Sequence, residues 1–106
     1  RRLQRLQALA AELRERHGVA VAAIAADLSD PGAPGRIAGQ LQRSGIAADF
    51  LVINAGYGIP ETFLEVDWQK HADFIQVMVT AVCDLTYKLL PGTIERKYGR
   101  IINVSP

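Results

Sequence analysis

Cysteine occurs once, at Cys83, so no disulfide can form within the chain and no crosslinked secreted scaffold is built from it. That scarcity fits a reducing compartment, and the expected location is cytoplasmic. No stretch reaches the roughly 18 consecutive apolar residues of a membrane span. The opening Arg1-Arg2 is not followed by the apolar stretch of a signal peptide. An excess of one charge is missing too. Twelve Lys and Arg against 11 Asp and Glu leave a net charge of +1, so neither nucleic acid nor a membrane surface is an expected partner. The like-charge runs Arg1-Arg2 and Arg96-Lys97 are too short to be interaction tails. Histidine is limited to His17 and His71, which lack a second ligand at metal spacing, and no metal site is expected.

What is present is an apolar fraction of 49% over 106 residues, enough for one small domain with a core. Residues 3–16 read as an amphipathic helix, with Leu3, Leu6, Leu9 (or Ala10) and Leu13 spaced by three and four and His17-Gly18 as its cap. Residues 19–26 are apolar and partly β-branched, the pattern of a buried strand. A loop from Asp27 to Gly32 leads to a short helix over 34–44, with Ile37 and Leu41 on one face and Gly45 past its end. Residues 50–53 read as a second strand. Asp67 is placed to cap a long helix over 68–90, apolar almost all round and so buried on more than one side. Pro91-Gly92 disturbs that helix, a last turn runs to Gly99, and residues 100–104 read as a third strand.

Strands separated by helices of this length imply a parallel sheet with crossover helices, an α/β architecture of about three strands. In such sheets ligands bind beyond the carboxyl ends of the strands. Asp27, Asn54 and the Asn103-Val104-Ser105 stretch each fall there. Asn54-Ala55-Gly56 halts the apolar run Phe50-Leu51-Val52-Ile53 and reads either as a plain turn or as backbone bared for a flat ligand.

Five short stretches, in order and in register, resemble the short-chain dehydrogenase/reductase family. They are Arg1-Arg2-Leu3-Gln4-Arg5-Leu6, Ala26-Asp27-Leu28, Asn54-Ala55-Gly56, Leu89-Leu90-Pro91 and Gly99-Arg100-Ile101-Ile102-Asn103-Val104-Ser105. The resemblance implies a single, incomplete Rossmann-like doubly wound domain over residues 1–106. It also implies NAD(P) as cofactor and a small carbonyl or secondary alcohol as substrate of the complete protein. By that likeness Asp27 accepts a hydrogen bond from the adenine amino group, and Leu28 adds backbone and an apolar contact; the plainer alternative for Asp27 is an Asx turn. Asn54 braces the neighbouring strand, while Ala55 and Gly56 let backbone approach the adenosine ribose. Arg1 stands where the family often holds a cation against the 2′-phosphate of NADP, which tilts the expectation toward NADP. Tyr57, Gly58, Val104 and Ser105 form the cleft wall, and homo-oligomerisation is expected through helix 68–90.

The departures from the family's pattern matter as much. The glycine-rich turn that presents a helix N-terminus to pyrophosphate is absent, and so is the Tyr-x-x-x-Lys proton donor. Met78 stands where the family carries an asparagine. Ser105 is the first of the two small residues after the last strand, and Pro106 holds the position of the family's serine; Ser105 serves as the catalytic hydroxyl only if the register slips by one. The family's strand order is 3-2-1-4-5-6-7, and this chain carries the equivalents of strands 3, 4 and 5. Strand 3 is therefore expected to face a gap. The isolated chain is expected to be inactive. The alternative is a non-catalytic relative, or a segment acting by association through its long helix.

Overall fold

The computed structural model describes residues 3–105; Arg1 and Pro106, both named above, lie outside the described residues. The chain begins with helix α1, Leu3–His17. Ala10 is buried and Leu6 and Leu13 are half-buried, whereas Leu9 is 51% exposed. The face is therefore set by residues 6, 10 and 13 at helical spacing. Gly18 closes the helix at φ +61°, its N–H bonded to Arg14 O at 2.9 Å.

Residues 19–26 do not form the expected strand. They are not assigned to a strand, and the Arg14 guanidinium donates to Val21 O. A strand is completed by its neighbours, and the one neighbour this segment would have in the family's order, strand 2, has no equivalent among the described residues. Among the described residues the sheet accordingly has two strands rather than three.

Helix α2, Ala33–Arg43, starts with Pro34 in its first turn, where a missing N–H costs nothing. It ends in a Schellman motif: Ile46 N donates to Leu41 O at 2.9 Å and Gly45 N to Gln42 O at 3.1 Å, with Gly45 at φ +68°. Strands β1, Phe50–Ile53, and β2, Arg100–Asn103, pair in parallel, Phe50 opposite Arg100 and Ile53 opposite Asn103. The backbone bonds Arg100 N to Asp49 O and Val104 N to Ile53 O, each 2.9 Å, extend the ladder at both ends.

Between the strands lies one long helical path: α3, Trp68–Ile75; a π turn, Gln76–Thr80; and α4, Ala81–Arg96. In the π turn the Ala81 N–H reaches back five residues to Gln76 O. The expected end at residue 90 is corrected. The helix carries Pro91 inside it and stops only at Arg96, because Pro91 forfeits one bond while Arg96 anchors the far end. The Arg96 guanidinium donates to Asp49 Oδ1 and to Ala48 O, both at 3.0 Å. Trp68–Arg96 is long and apolar enough by length and composition to cross a bilayer, a test that core helices also pass. Here α4 packs on α2 and β1 with Ala81 and Leu85 buried, but only 17% of the apolar stretch is buried, so the expected burial on more than one side is corrected.

The core is thin. Its buried apolar residues are Ala10, Ala33, Ile53, Val77, Ala81 and Leu85. The chain exposes 7867 Å², against about 5,800 Å² for a compact chain of its mass. Alternation along β1 buries Ile53 toward the helix and leaves Phe50 and Val52 exposed, joined by Ile102 opposite Val52. Parallel sheets are usually covered on both faces, and among the described residues this face is open.

Candidate functional site

The sheet's carboxyl end is defined by Ile53 and Asn103, tied together by the Val104–Ile53 bond. From there the chain leaves β1 as Asn54-Ala55-Gly56-Tyr57 and runs between two cavities. The first, about 240 Å³, is lined by Ile53, Ala55, Met78, Val82, Asn103, Val104 and Ser105. The second, about 270 Å³, is lined by Asp27, Ser29, Tyr57, Lys70, Asp73 and Val77. The π turn serves both, sending Val77 to one and Met78 to the other. Asp27 and Ser105, 78 residues apart in sequence, thus flank the same four-residue stretch.

Each wall has a local cause. The Asp27 carboxylate closes an Asx turn, Oδ1 accepting from Ser29 N at 3.0 Å and from Ser29 Oγ at 2.8 Å. The plainer geometry and a place on the cavity wall therefore coexist in one side chain. Leu28 is half-buried beside it, and Asn54 is exposed. Tyr57 is held edge-on to Phe74, ring centroids 5.4 Å apart. The loop after Tyr57 is pinned to α3 three times. Lys70 Nζ bonds Glu61 Oε1 at 3.2 Å, His71 Nε2 lies 2.8 Å from Phe63 O, and the Phe63 and His71 rings stack at 4.5 Å. A capping box between Thr62 and Glu65 starts the short 3₁₀ turn Phe63–Glu65. Glu61 is held below the usual carboxylate range by its own backbone N–H first and by Lys70 second.

Gly56 allows the closest approach in the site. A β-carbon built there would lie 3.0 Å from Met78 Sδ and 3.3 Å from Met78 Cε. Gly58, two residues on, faces open space. Ser29, Lys70, Asp73 and Val77 were not singled out from the sequence. Lys70, Asp73 and Val77 share a helical face at spacings of three and four, the one signal that groups them. Cys83 is exposed, and its thiol is free.

A parallel strand pair joined by a helical crossover, with polar residues beyond the carboxyl ends of its strands, is an α/β arrangement of the kind that binds ligands there. The sequence profile described as short chain dehydrogenase matches residues 1–106, and the chain belongs to that family. It is 36% identical over 107 residues to a very-long-chain 3-oxoacyl-CoA reductase of Anas platyrhynchos, covering 96% of this chain and 34% of that protein. It is 36% identical over 110 residues to a serine 3-dehydrogenase of Agrobacterium fabrum, covering 99% of this chain and 41% of that protein. Its fold matches the crystal structure of L-sorbose reductase from Gluconobacter frateurii complexed with NADPH and L-sorbose. The TM-score there is 0.89 and the identity 34%, over 97% of this chain and 39% of that one. The chain thus spans 34% to 41% of the length of these relatives.

Proposed function

We propose that this chain is the central part of an NAD(P)-dependent oxidoreductase that interconverts a carbonyl and a secondary alcohol, and that the 106 residues alone do not turn over. The observation that carries the reading is the Asn54-Ala55-Gly56-Tyr57 stretch lying between two cavities at the carboxyl ends of β1 and β2. The residues fit half of a dinucleotide. The Asp27 cavity offers a carboxylate acceptor, an aromatic ring and the apolar Val77 in about 270 Å³, just below the span of whole-ligand pockets, so it suits a base rather than the entire cofactor. In this reading Asp27 accepts from the adenine amino group, with Leu28 beside it. Ala55 and Gly56 keep side chains away from the ribose, and Asn54 braces the strand end. Ser105 holds the substrate oxygen only if the register slips by one; in the unslipped register that position is Pro106. When bound, the nicotinamide supplies or receives the hydride. NADP is the preferred form, because Arg1 suits a 2′-phosphate and the sorbose reductase relative is complexed with NADPH.

The inactivity of the isolated chain rests on what it would have to do without. Nothing in it replaces the glycine-rich turn for pyrophosphate or the Tyr-x-x-x-Lys donor. A lost general acid alone costs about 10²- to 10⁴-fold, and Met78 is a thioether that cannot donate a hydrogen bond. The relatives act on an oxoacyl-CoA, a serine and a sugar, so the substrate class stays at carbonyl or secondary alcohol. The single cysteine supports, without deciding, a cytoplasmic site of action. Self-association through the long helix is favoured by exposed Ile75, Val79, Tyr87 and Ile94. The same residues favour the second reading, a segment that works by association without catalysis.

Titration of the complete protein with NADPH by fluorescence, followed by turnover on a panel of ketones and secondary alcohols, tests the enzyme reading. Saturable binding and turnover by the complete protein, with neither in the 106-residue chain, is the expected result. Saturable turnover by the chain alone refutes its inactivity. A complete protein that neither binds NADPH nor turns over, yet self-associates in light scattering, establishes the second reading instead.

A further inference from the structure

We infer that Met78 is a positioning residue for the dinucleotide, acting through Gly56; the inference rests on the cofactor reading above. Met78 sits in the π turn and lines the cavity that also holds Ala55 and Ser105. Its thioether lies directly against the Gly56 backbone, so close that a β-carbon on Gly56 would meet Sδ at 3.0 Å and Cε at 3.3 Å. The atoms nearest that β-carbon all belong to the Met78 side chain, and no backbone atom is among them.

Two consequences follow from that arrangement. The height of the Ala55-Gly56 backbone above the helix is set by the volume of one side chain. The group supplying the volume has neither a hydrogen-bond donor nor a charge, so it acts by filling space. Methionine is unbranched and fits an irregular gap without forcing the turn outward. Glycine at 56 and methionine at 78 are therefore a matched pair: a side chain at 56 lifts the turn, and a smaller side chain at 78 lets it sag. Either movement displaces the backbone on which the ribose is proposed to lie.

The pairing is tested in the complete protein by a double-mutant cycle on NADPH affinity, read by fluorescence titration at 25 °C with thermal melts in parallel. Gly56→Ala is expected to weaken NADPH binding about tenfold, within the range of coupling between side chains in contact. Adding Met78→Ala to Gly56→Ala is expected to restore most of that loss. Met78→Val lacks a δ atom and fills more of the cavity, so it carries the same comparison if the alanine variant does not fold. A Gly56→Ala penalty of equal size in both backgrounds overturns the inference. So does a set of variants that melt earlier but bind NADPH as the parent does, since that is the signature of packing alone. Failure of the unsubstituted protein to bind NADPH overturns the cofactor reading, and the inference with it. Intact parental binding without coupling overturns only the role of Met78.

Discussion

Gly99 sits where the last helix turns into β2, and replacing it with alanine puts a carbon where three atoms already stand. The new β-carbon would lie 2.7 Å from Thr93 Cβ, 2.7 Å from Thr93 Cγ2 and 2.8 Å from Asp49 O, all well inside the ~3.5 Å at which carbon contacts become attractive. Neither neighbour moves freely. Thr93 belongs to the last turn of α4, with its Oγ1 on Leu90 O at 2.7 Å and its own carbonyl accepting from Tyr98 N at 3.0 Å. Asp49 O accepts the Arg100 N–H at 2.9 Å, and the Arg96 guanidinium grips the same residue at Oδ1. Overpacking of this kind costs about 1–3 kcal/mol, and losing the Asp49–Arg100 bond adds about 1 kcal/mol. The expected destabilisation is about 2–4 kcal/mol. For a complete protein of the relatives' size that corresponds to a fall in melting temperature of about 5–15 °C. Urea and thermal unfolding of the complete protein give the number. Gly58→Ala is the control, because a β-carbon there meets nothing within 4 Å, and it should stay within about 0.5 kcal/mol of the parent. Thr93→Ser added to Gly99→Ala should not rescue, since Cβ and the Asp49 carbonyl both remain. Parental stability of Gly99→Ala, or full rescue by Thr93→Ser, refutes the reasoning.

Lys97 holds φ 57° and ψ 33° at the end of α4, a left-handed conformation that costs a side chain about 1–2 kcal/mol. Lys97→Gly is therefore expected to raise the urea midpoint by up to about 1 kcal/mol of stability; a lowered midpoint would show that the lysine side chain makes a contact worth more than the strain. Asp30 is held below its ordinary 3.8 by the Gly32 N–H first and the Arg36 guanidinium second. A depressed carboxylate stabilises the fold fully above its unfolded pKa and loses that contribution as pH falls through the folded value. The Asp30–Arg36 loop should therefore loosen only below pH 3.8, with an NMR titration of the Asp30 carboxyl as the check. A midpoint at or above the ordinary value contradicts the assignment, and Asp30→Asn should remove the dependence.

The parts of the fold legible in the sequence are those whose causes are local. Gly18 and Gly45 marked helix ends because a left-handed residue is needed there, and both have positive φ. The runs at 50–53 and 100–103 became β1 and β2 because each finds the other as partner. Residues 19–26 have the composition of a strand, yet no ladder forms, since hydrogen-bond partners are a long-range property. Pro91 signals a helix end by its own chemistry, and the Arg96 grip on Asp49, 47 residues away in sequence, outweighs it. The Thr62-x-x-Glu65 capping box is a motif legible in the sequence, because both of its partners are local. In the candidate site, Asp27, Asn54 and Ser105 stood out as polar residues after apolar runs. The Met78–Gly56 approach left no mark in the sequence, because it depends on how a helix 22 residues further on is phased beneath the turn.

That phasing is the consequence of the π turn at Gln76–Thr80. One residue more than an α-helix needs is accommodated there, so the two halves of the shaft are out of step by about 100°. A wheel drawn at constant pitch through Trp68–Arg96 smears two narrow apolar stripes into one broad one, which is why the segment reads as greasy all round. Forcing the same residues into a single α pitch, with none removed, would rotate the downstream half by about 100°. Ala81 and Leu85, which are now buried, would swing toward water, whereas deleting one residue from the turn would leave their facing nearly unchanged. The extra residue works like a keyway cut into an axle: it fixes which side of the downstream half engages the sheet, and the length of the helix hardly changes.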